Sequence, residues 1–149
     1  MLYQQRNELH FLQSELLLDH GFEKHAFFLK GAPECTFDQT HIAACSNLVK
    51  HAFALDHIMH MNQVHGIAIT DVLDSSVCIP EADGMVTSQA GCGLLVRHAD
   101  CQAALIVDPK KRVAMALHVG WRAAVVNFFQ TAFNHKKIKT GLFTKFCRN

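Results

Sequence analysis

No two of the six cysteines, at positions 35, 45, 78, 92, 101 and 147, form a C-x-x-C pair. That leaves no thioredoxin-like or zinc-ribbon motif. The eleven histidines include no H-x-H pair, so a cluster of several copper ions is poorly supplied with ligands. Long apolar runs are missing too. The longest, Gly93 to Val96 and Ala103 to Val107, are split by Arg97-His98-Ala99-Asp100, which excludes a membrane-spanning helix. The N-terminal M-L-Y-Q-Q-R-N-E is polar and lacks the apolar core of a secretory signal. The cysteines therefore read as reduced thiols of a cytoplasmic protein. A net charge of +1 provides no nucleic-acid footprint. Neither an internal repeat nor a low-complexity tract is present.

What is present is globular. Of 149 residues, 50% are hydrophobic and 18% charged, which fits one folded domain. His135, Lys136, Lys137, Lys139, Lys145 and Arg148 crowd the C-terminus. The reading is a single domain over 1–134 followed by a basic tail over 135–149.

Leu9 to Leu18 is a mixed apolar stretch that ends in a turn at Asp19-His20-Gly21. His25 to Leu29 reads as a short strand, broken by Gly31-Ala32-Pro33-Glu34. Helical spacing of Ile42, Leu48, Val49, Ala52 and Phe53 predicts a helix within Thr40 to Leu55. His57 to Val64 and Ile67 to Val72 read as strands meeting at Gly66, which relieves a bend. Leu73 to Pro80 is a loop. Met85 to Thr87 and Gly93 to Arg97 are short strands. Ala103 to Val107 and Val113 to Leu117 are apolar strands joined by a turn at Asp108-Pro109-Lys110-Lys111-Arg112. Gly120 to His135 reads as one helix with a broad apolar face. The fold class is α+β, a layered α/β sandwich with a hairpin-rich mixed sheet.

Chemistry concentrates in four segments: N-Q-V-H-G (Asn62 to Gly66), A-D-G-M-V-T (Ala82 to Thr87), H-A-D-C (His98 to Cys101) and H-V-G-W-R (His118 to Arg122). They place two histidines and a cysteine at the ends of short apolar strands. His65, Cys101 and His118 make the ligand set of an open zinc site, three protein donors and one free position. A two-residue hairpin turn pairs Asp108 with Lys111 and puts Cys101 directly opposite His118, about 5 Å apart at Cβ. A longer connection makes that pair diagonal, at about 7–8 Å. Either register lets both reach one ion, with His65 arriving from the other hairpin. Asp100 is a candidate to orient a ligand histidine, or to cap a turn. Arg122 offers a planar cationic fork for phosphate or carboxylate, beside the start of the predicted helix.

Taken singly, each of these residues has a plain reading. Cys101 is then a small buried residue, His118 a satisfied strand-end histidine and Arg122 a surface cation. Trp121 is core or pocket wall, and His98 is a pocket residue unless strand alternation turns it away. Most other histidines, such as His10, His20, His41 and His51, read as structural or surface groups.

The four segments, in this order, resemble the laccase-domain family, the polyphenol-oxidase or multicopper-oxidase type of purine nucleoside phosphorylase, from about Gly21 to about Phe129. The resemblance implies a zinc site made by His65, Cys101 and His118. It implies phosphorolysis of adenosine, inosine and methylthioadenosine, with purine nucleoside and phosphate as partners, and deamination of adenosine. Zinc would activate a water for attack on purine C6. Arg122 would hold the phosphate that attacks the ribose anomeric carbon. The chain departs from the family pattern at Ala103, Ala123 and His98, where proline, glycine and threonine are common. The family also continues further, with more strands and a G-P-x-I-G-type segment, so this chain reads as a C-terminally truncated or frame-shifted form. Three rival readings stand beside this one: a copper-dependent phenol oxidoreductase (Cu2+ in place of Zn2+), a cysteine hydrolase with Cys101 as nucleophile and His118 as base, and a non-catalytic remnant that binds a partner. Oligomeric state is not legible.

Overall fold

The apolar runs on either side of Asp108–Arg112 form the centre of the fold. A computed structural model describes residues 1–29, 41–73, 79–138 and 142–146. β8 (Gln102–Asp108) pairs antiparallel with β9 (Val113–Val119). β9 pairs on its other side with β6 (Gly84–Thr87), and β6 pairs in parallel with β5 (Ile69–Val72). β10 (Leu142–Phe146) closes the other edge against β8, giving the order β10-β8-β9-β6-β5.

Strand alternation divides this sheet into two faces. Val86, Ala104, Ile106, Met115 and Leu117 pack with Phe128 and Ala132 in the largest core cluster. Phe128 and Ala132 belong to α4 (Phe128–Phe133), which follows α3 (Trp121–Val125). The opposite face is met by a parallel two-stranded sheet, β4 (His57–His60) with β7 (Cys92–Leu95). There Met61, Val72, Ala82 and Met85 pack with Met59, Cys92, Leu94 and Val96. Alternate residues of β4 serve two cores, since Ile58 turns instead to Leu9, Phe11, Val49 and Phe53. Those four come from a three-stranded sheet, β1 (Leu2–Arg6), β2 (Leu9–Gln13) and β3 (Phe27–Phe28), and from α2 (Ile42–Ala52) with its C-cap. One turn of helix, α1 (Glu15–Asp19), follows β2 and ends before Gly21 (φ +78°). The result is the α+β layered architecture with a mixed sheet. No described helix is long and apolar enough to cross a membrane.

Several local expectations change. The helix expected over Gly120 to His135 is two short helices, broken where Asn127 takes φ 57°. Asparagine tolerates this left-handed conformation, which no helix continues. The strand expected over His57 to Val64 stops at His60, and the expected bend spans His65 and Gly66, with the positive φ (60°) at His65. In the central hairpin, Asp108 pairs with Val113 and Ala103 with His118. The connection is four residues, not two, because the Asp108 carboxylate accepts the amides of Lys110 and Lys111 at 3.1 and 3.0 Å and Arg112 takes φ 53°. Such a loop is built around a type I turn. Cys101 is therefore diagonal to His118, the second of the two registers. The stretch set apart as a tail joins the fold: Ile138 is buried with the main core, and Leu142–Phe146 is a sheet strand. His135, Lys136 and Lys137 gather round Asp71 at 3.8, 3.4 and 3.2 Å. Partial burial works to raise the Asp71 carboxyl, but Lys137, with His135 and Lys136, outweighs it and holds the group below its ordinary range. The break at Gly31–Glu34 and the cysteines at 35, 78 and 147 lie outside the described residues. Cys92 and Cys101 are free thiols, and Cys45 is buried.

Two histidines make stability depend on pH. His25 accepts the Ser14 amide through Nε2 at 2.8 Å and turns Nδ1 to the Phe22 carbonyl at 2.6 Å. Burial pushes its pKa down, against the upward pull of that carbonyl. Burial and the Arg97 charge also lower that of His60. With folded values below the ordinary value of about 6.5, the unfolded chain binds more protons than the folded one just below that pH. Stability is therefore expected to fall as pH drops below about 6.5. His25→Gln, which keeps one donor and one acceptor but no titrating group, should flatten that slope in melting curves. An unchanged slope would remove His25 from the account.

Candidate metal centre

Three distant segments meet at one end of the five-stranded sheet. His118 lies near the end of β9, Cys101 immediately precedes β8, and His65 sits in the connection between β4 and β5. One ligand atom from each lies within 4.8 Å of the others. His118 is buried, Cys101 half-buried and His65 exposed, so the group has an inner wall and an open side. The two imidazoles stand edge to face, with centroids 4.9 Å apart.

Asp83, at the start of β6, lies beneath them with no solvent exposure. Its Oδ1 accepts the His65 amide at 3.0 Å and lies 2.8 Å from His118 Nδ1. Its Oδ2 accepts the amides of Gly66 at 2.6 Å and Val64 at 3.3 Å. The Asp83 main-chain carbonyl also accepts the His118 amide at 2.8 Å. An ionised carboxylate only accepts, so His118 Nδ1 must donate. That leaves the Nε2 lone pair to face outward as a metal donor, the arrangement of a carboxylate–histidine–metal triad. Sequence reasoning left Asp100 either to orient a histidine or to cap a turn; the carboxylate bonded to His118 is that of Asp83. The available signal was an acid inside an otherwise buried A-D-G-M-V run, since a buried carboxylate is rare without a dedicated set of donors.

Gly120 forms part of the wall. A Cβ there would stand 3.1 Å from His65 Cδ2 and 3.6 Å from Cys101 Sγ, so the H-V-G-W-R motif needs its glycine for close approach. Burial, and the carboxylates of Asp100 and Asp83, push the Cys101 thiol above its ordinary value. That is the reverse of an activated nucleophile. A divalent cation between these groups offsets the same negative field, so the donors suit a metal better than a free thiolate.

Of the two readings of Trp121, core and pocket wall, its 71% exposure excludes the first, because the α3 helix turns it outward. The Arg122 guanidinium lies over the Trp121 indole at 5.0 Å. His98 lines a cavity of about 150 Å³ with Arg97, Ala103 and Ala116. The surface histidines carry local bonds: His10 to Tyr3, His20 to the Leu16 carbonyl and His51 to the Asn47 carbonyl.

The family described as multi-copper polyphenol oxidoreductase laccase has a sequence model that matches residues 29–143. The chain belongs to this family. A purine nucleoside phosphorylase of Rickettsia conorii is 30% identical over 92 residues, which is 62% of this chain and 38% of that protein. One from Deinococcus radiodurans is 36% identical over 73 residues, 49% of this chain and 28% of that protein. Among solved structures, YlmD from Geobacillus stearothermophilus aligns with a TM-score of 0.60 at 22% identity, over 72% of this chain and 46% of that one. A Neisseria meningitidis protein aligns with a TM-score of 0.59 at 22% identity, over 68% and 41%. This laccase-family chain thus spans 38% and 28% of the two curated relatives' lengths, and the solved structures support the fold alone.

Proposed function

We propose that the chain is a zinc-dependent purine nucleoside phosphorylase that also deaminates adenosine. The observation that carries this reading is the convergence of His65, Cys101 and His118 with a carboxylate behind His118. Two imidazoles and a thiolate suit zinc in an open site. Relatives named purine nucleoside phosphorylase supply the substrate class. His65, Cys101 and His118 would hold the ion, which would supply Lewis-acid chemistry there.

The chain's own residues divide the remaining work. Cys101, His118 and His65 hold the ion, and Asp83 keeps the His118 donor outward. Arg122 binds phosphate as a charge-assisted fork. In phosphorolysis a phosphate oxygen bonds to ribose C1′ as the C1′–N9 bond breaks, and the electron pair leaves on N9, which takes a proton. In deamination water adds at C6 and ammonia leaves. A reducing, cytoplasmic setting keeps the Cys101 thiol available. The copper-oxidase alternative is weaker, because among the described residues one three-donor group is found, enough for a single ion. The raised Cys101 thiol argues against the cysteine-hydrolase alternative.

The test is to incubate zinc-loaded protein with adenosine or inosine, with and without phosphate, and to follow free base, ribose 1-phosphate and ammonia. Phosphate-dependent release of base supports the reading; no turnover of either nucleoside contradicts it. In the same assay Arg122→Ala should raise the KM for phosphate about tenfold, from the loss of a charge-assisted hydrogen bond, and leave the zinc content alone. An unchanged KM would remove Arg122 from the phosphate site.

A further inference from the structure

We infer that Asp83 is the positioning residue of the centre, setting both histidines in ligand geometry before any ion arrives. The inference rests on reading the cluster as a metal site and on no step of the nucleoside chemistry.

The argument is an account of one carboxylate's bonds. Asp83 is fully buried, which costs several kcal/mol unless its oxygens are satisfied. Four N–H donors satisfy them: the amides of Val64, His65 and Gly66, and His118 Nδ1. All four belong to the two ligand histidines or to the immediate neighbours of His65. The bonds of the side chain are thus directed to the histidines of the centre. The residue itself is a rigid post. Its amide donates to the Ala68 carbonyl at 3.1 Å, its carbonyl accepts the His118 amide, and β6 begins one residue later.

The flanks of the His65 turn are pinned elsewhere, Asn62 to Pro80 and Ala82 and the Gln63 side chain to the Arg97 backbone, while its central amides, those of Val64, His65 and Gly66, bond to Asp83. Three successive amides point at one spot, an anion-binding nest, and Asp83 is the anion. His65 holds φ 60° within it, a conformation unfavourable by about 1 kcal/mol for a residue with a Cβ. Without the carboxylate the three amides repel one another and the turn opens, carrying the His65 ring away from Cys101. The His118 ring then becomes free to carry its proton on Nε2, which blocks the donor atom.

Two measurements test this. In 15N-labelled metal-free wild-type protein, imidazole NMR should show His118 protonated on Nδ1 and bare on Nε2. In cobalt(II) titrations against a chromophoric chelator, Asp83→Asn should bind about 10–100-fold more weakly than wild type. Its visible bands and thiolate charge-transfer band should shift. An amide in place of the carboxylate sets its NH2 against the amides of the nest, so it does not mimic the native group. A wild-type His118 that carries its proton on Nε2 would overturn the inference. So would an Asp83→Asn protein with the wild-type cobalt affinity and spectrum. Should that variant fail to fold, the wild-type tautomer decides alone. Wild-type protein that binds no cobalt overturns both the inference and the metal reading. The expected tautomer and cobalt results without nucleoside turnover would support Asp83's role and refute the proposed activity.

Discussion

His118→Ala is expected to abolish stoichiometric metal binding and to cost about 2–4 kcal/mol of stability in metal-free protein. The two losses share one cause. His118 provides an inner donor of the cluster, and its Nδ1 provides one of the four N–H groups that satisfy the buried Asp83 carboxylate. Removing one partner of a buried ionic hydrogen bond costs about 3–5 kcal/mol when the charge is left alone. Asp83 retains three amide donors here, which places the figure toward the lower end. Cys101→Ala removes a donor and leaves no such charge behind, so it should lose the metal at a much smaller cost in stability. Urea unfolding of the metal-free proteins separates the two. Equal stability of His118→Ala and wild type would show that the Asp83–His118 bond carries nothing in the fold.

Phe128→Ala is expected to destabilise the protein by about 3–5 kcal/mol, the range for truncating a buried aromatic side chain. The α4 helix is six residues long, and a helix of that length does not stand alone in water. It is held by its buried face. Phe128 is fully buried, and a Cβ built on Gly84 would lie 3.4 Å from its ring edge. The ring thus occupies space over the centre of the sheet that Gly84 leaves open. Phe133→Ala on the exposed side should cost far less, since that residue is 38% exposed. Thermal or chemical unfolding of the two variants checks the contrast. A Phe128→Ala protein as stable as Phe133→Ala would mean that α4 is not anchored through Phe128.

The sequence made the central hairpin legible because two continuous apolar runs flank a run of Asp, Pro and lysines that reads as a turn. It did not fix the register, because that depends on the Asp108 side chain and on the conformation of Arg112, neither of which alters the hydrophobic pattern. The break at Asn127 was hidden for a similar reason. The apolar spacing runs across it, and one left-handed residue leaves no periodic trace. β10 was read as tail because Lys136, Lys137 and Lys139 before it and Lys145 within it obscure Leu142 and Phe143, whereas an edge strand tolerates such a charge. The grouping of residues 65, 101 and 118 was legible from residue type and motif order; Cys101 and His118 do lie at strand ends, whereas His65 lies in the β4–β5 connection. Their orienting acid was not singled out, since Asp100 stands directly beside Cys101 and drew the role, while Asp83 is hidden in the buried A-D-G-M-V run. Only the fold decides which of the two faces His118. The core reading of Trp121 failed because large apolar residues are usually inside, while a one-turn helix at a sheet end has room to bury only part of its side chains.

Metal content tests the central claim most directly. Protein purified without added metal, analysed for zinc and copper, should carry one zinc ion per chain, and a Cys101→Ala/His118→Ala double variant should carry none. Copper in stoichiometric amount, or a double variant that keeps its metal, would contradict the assignment of His65, Cys101 and His118 as the zinc ligands.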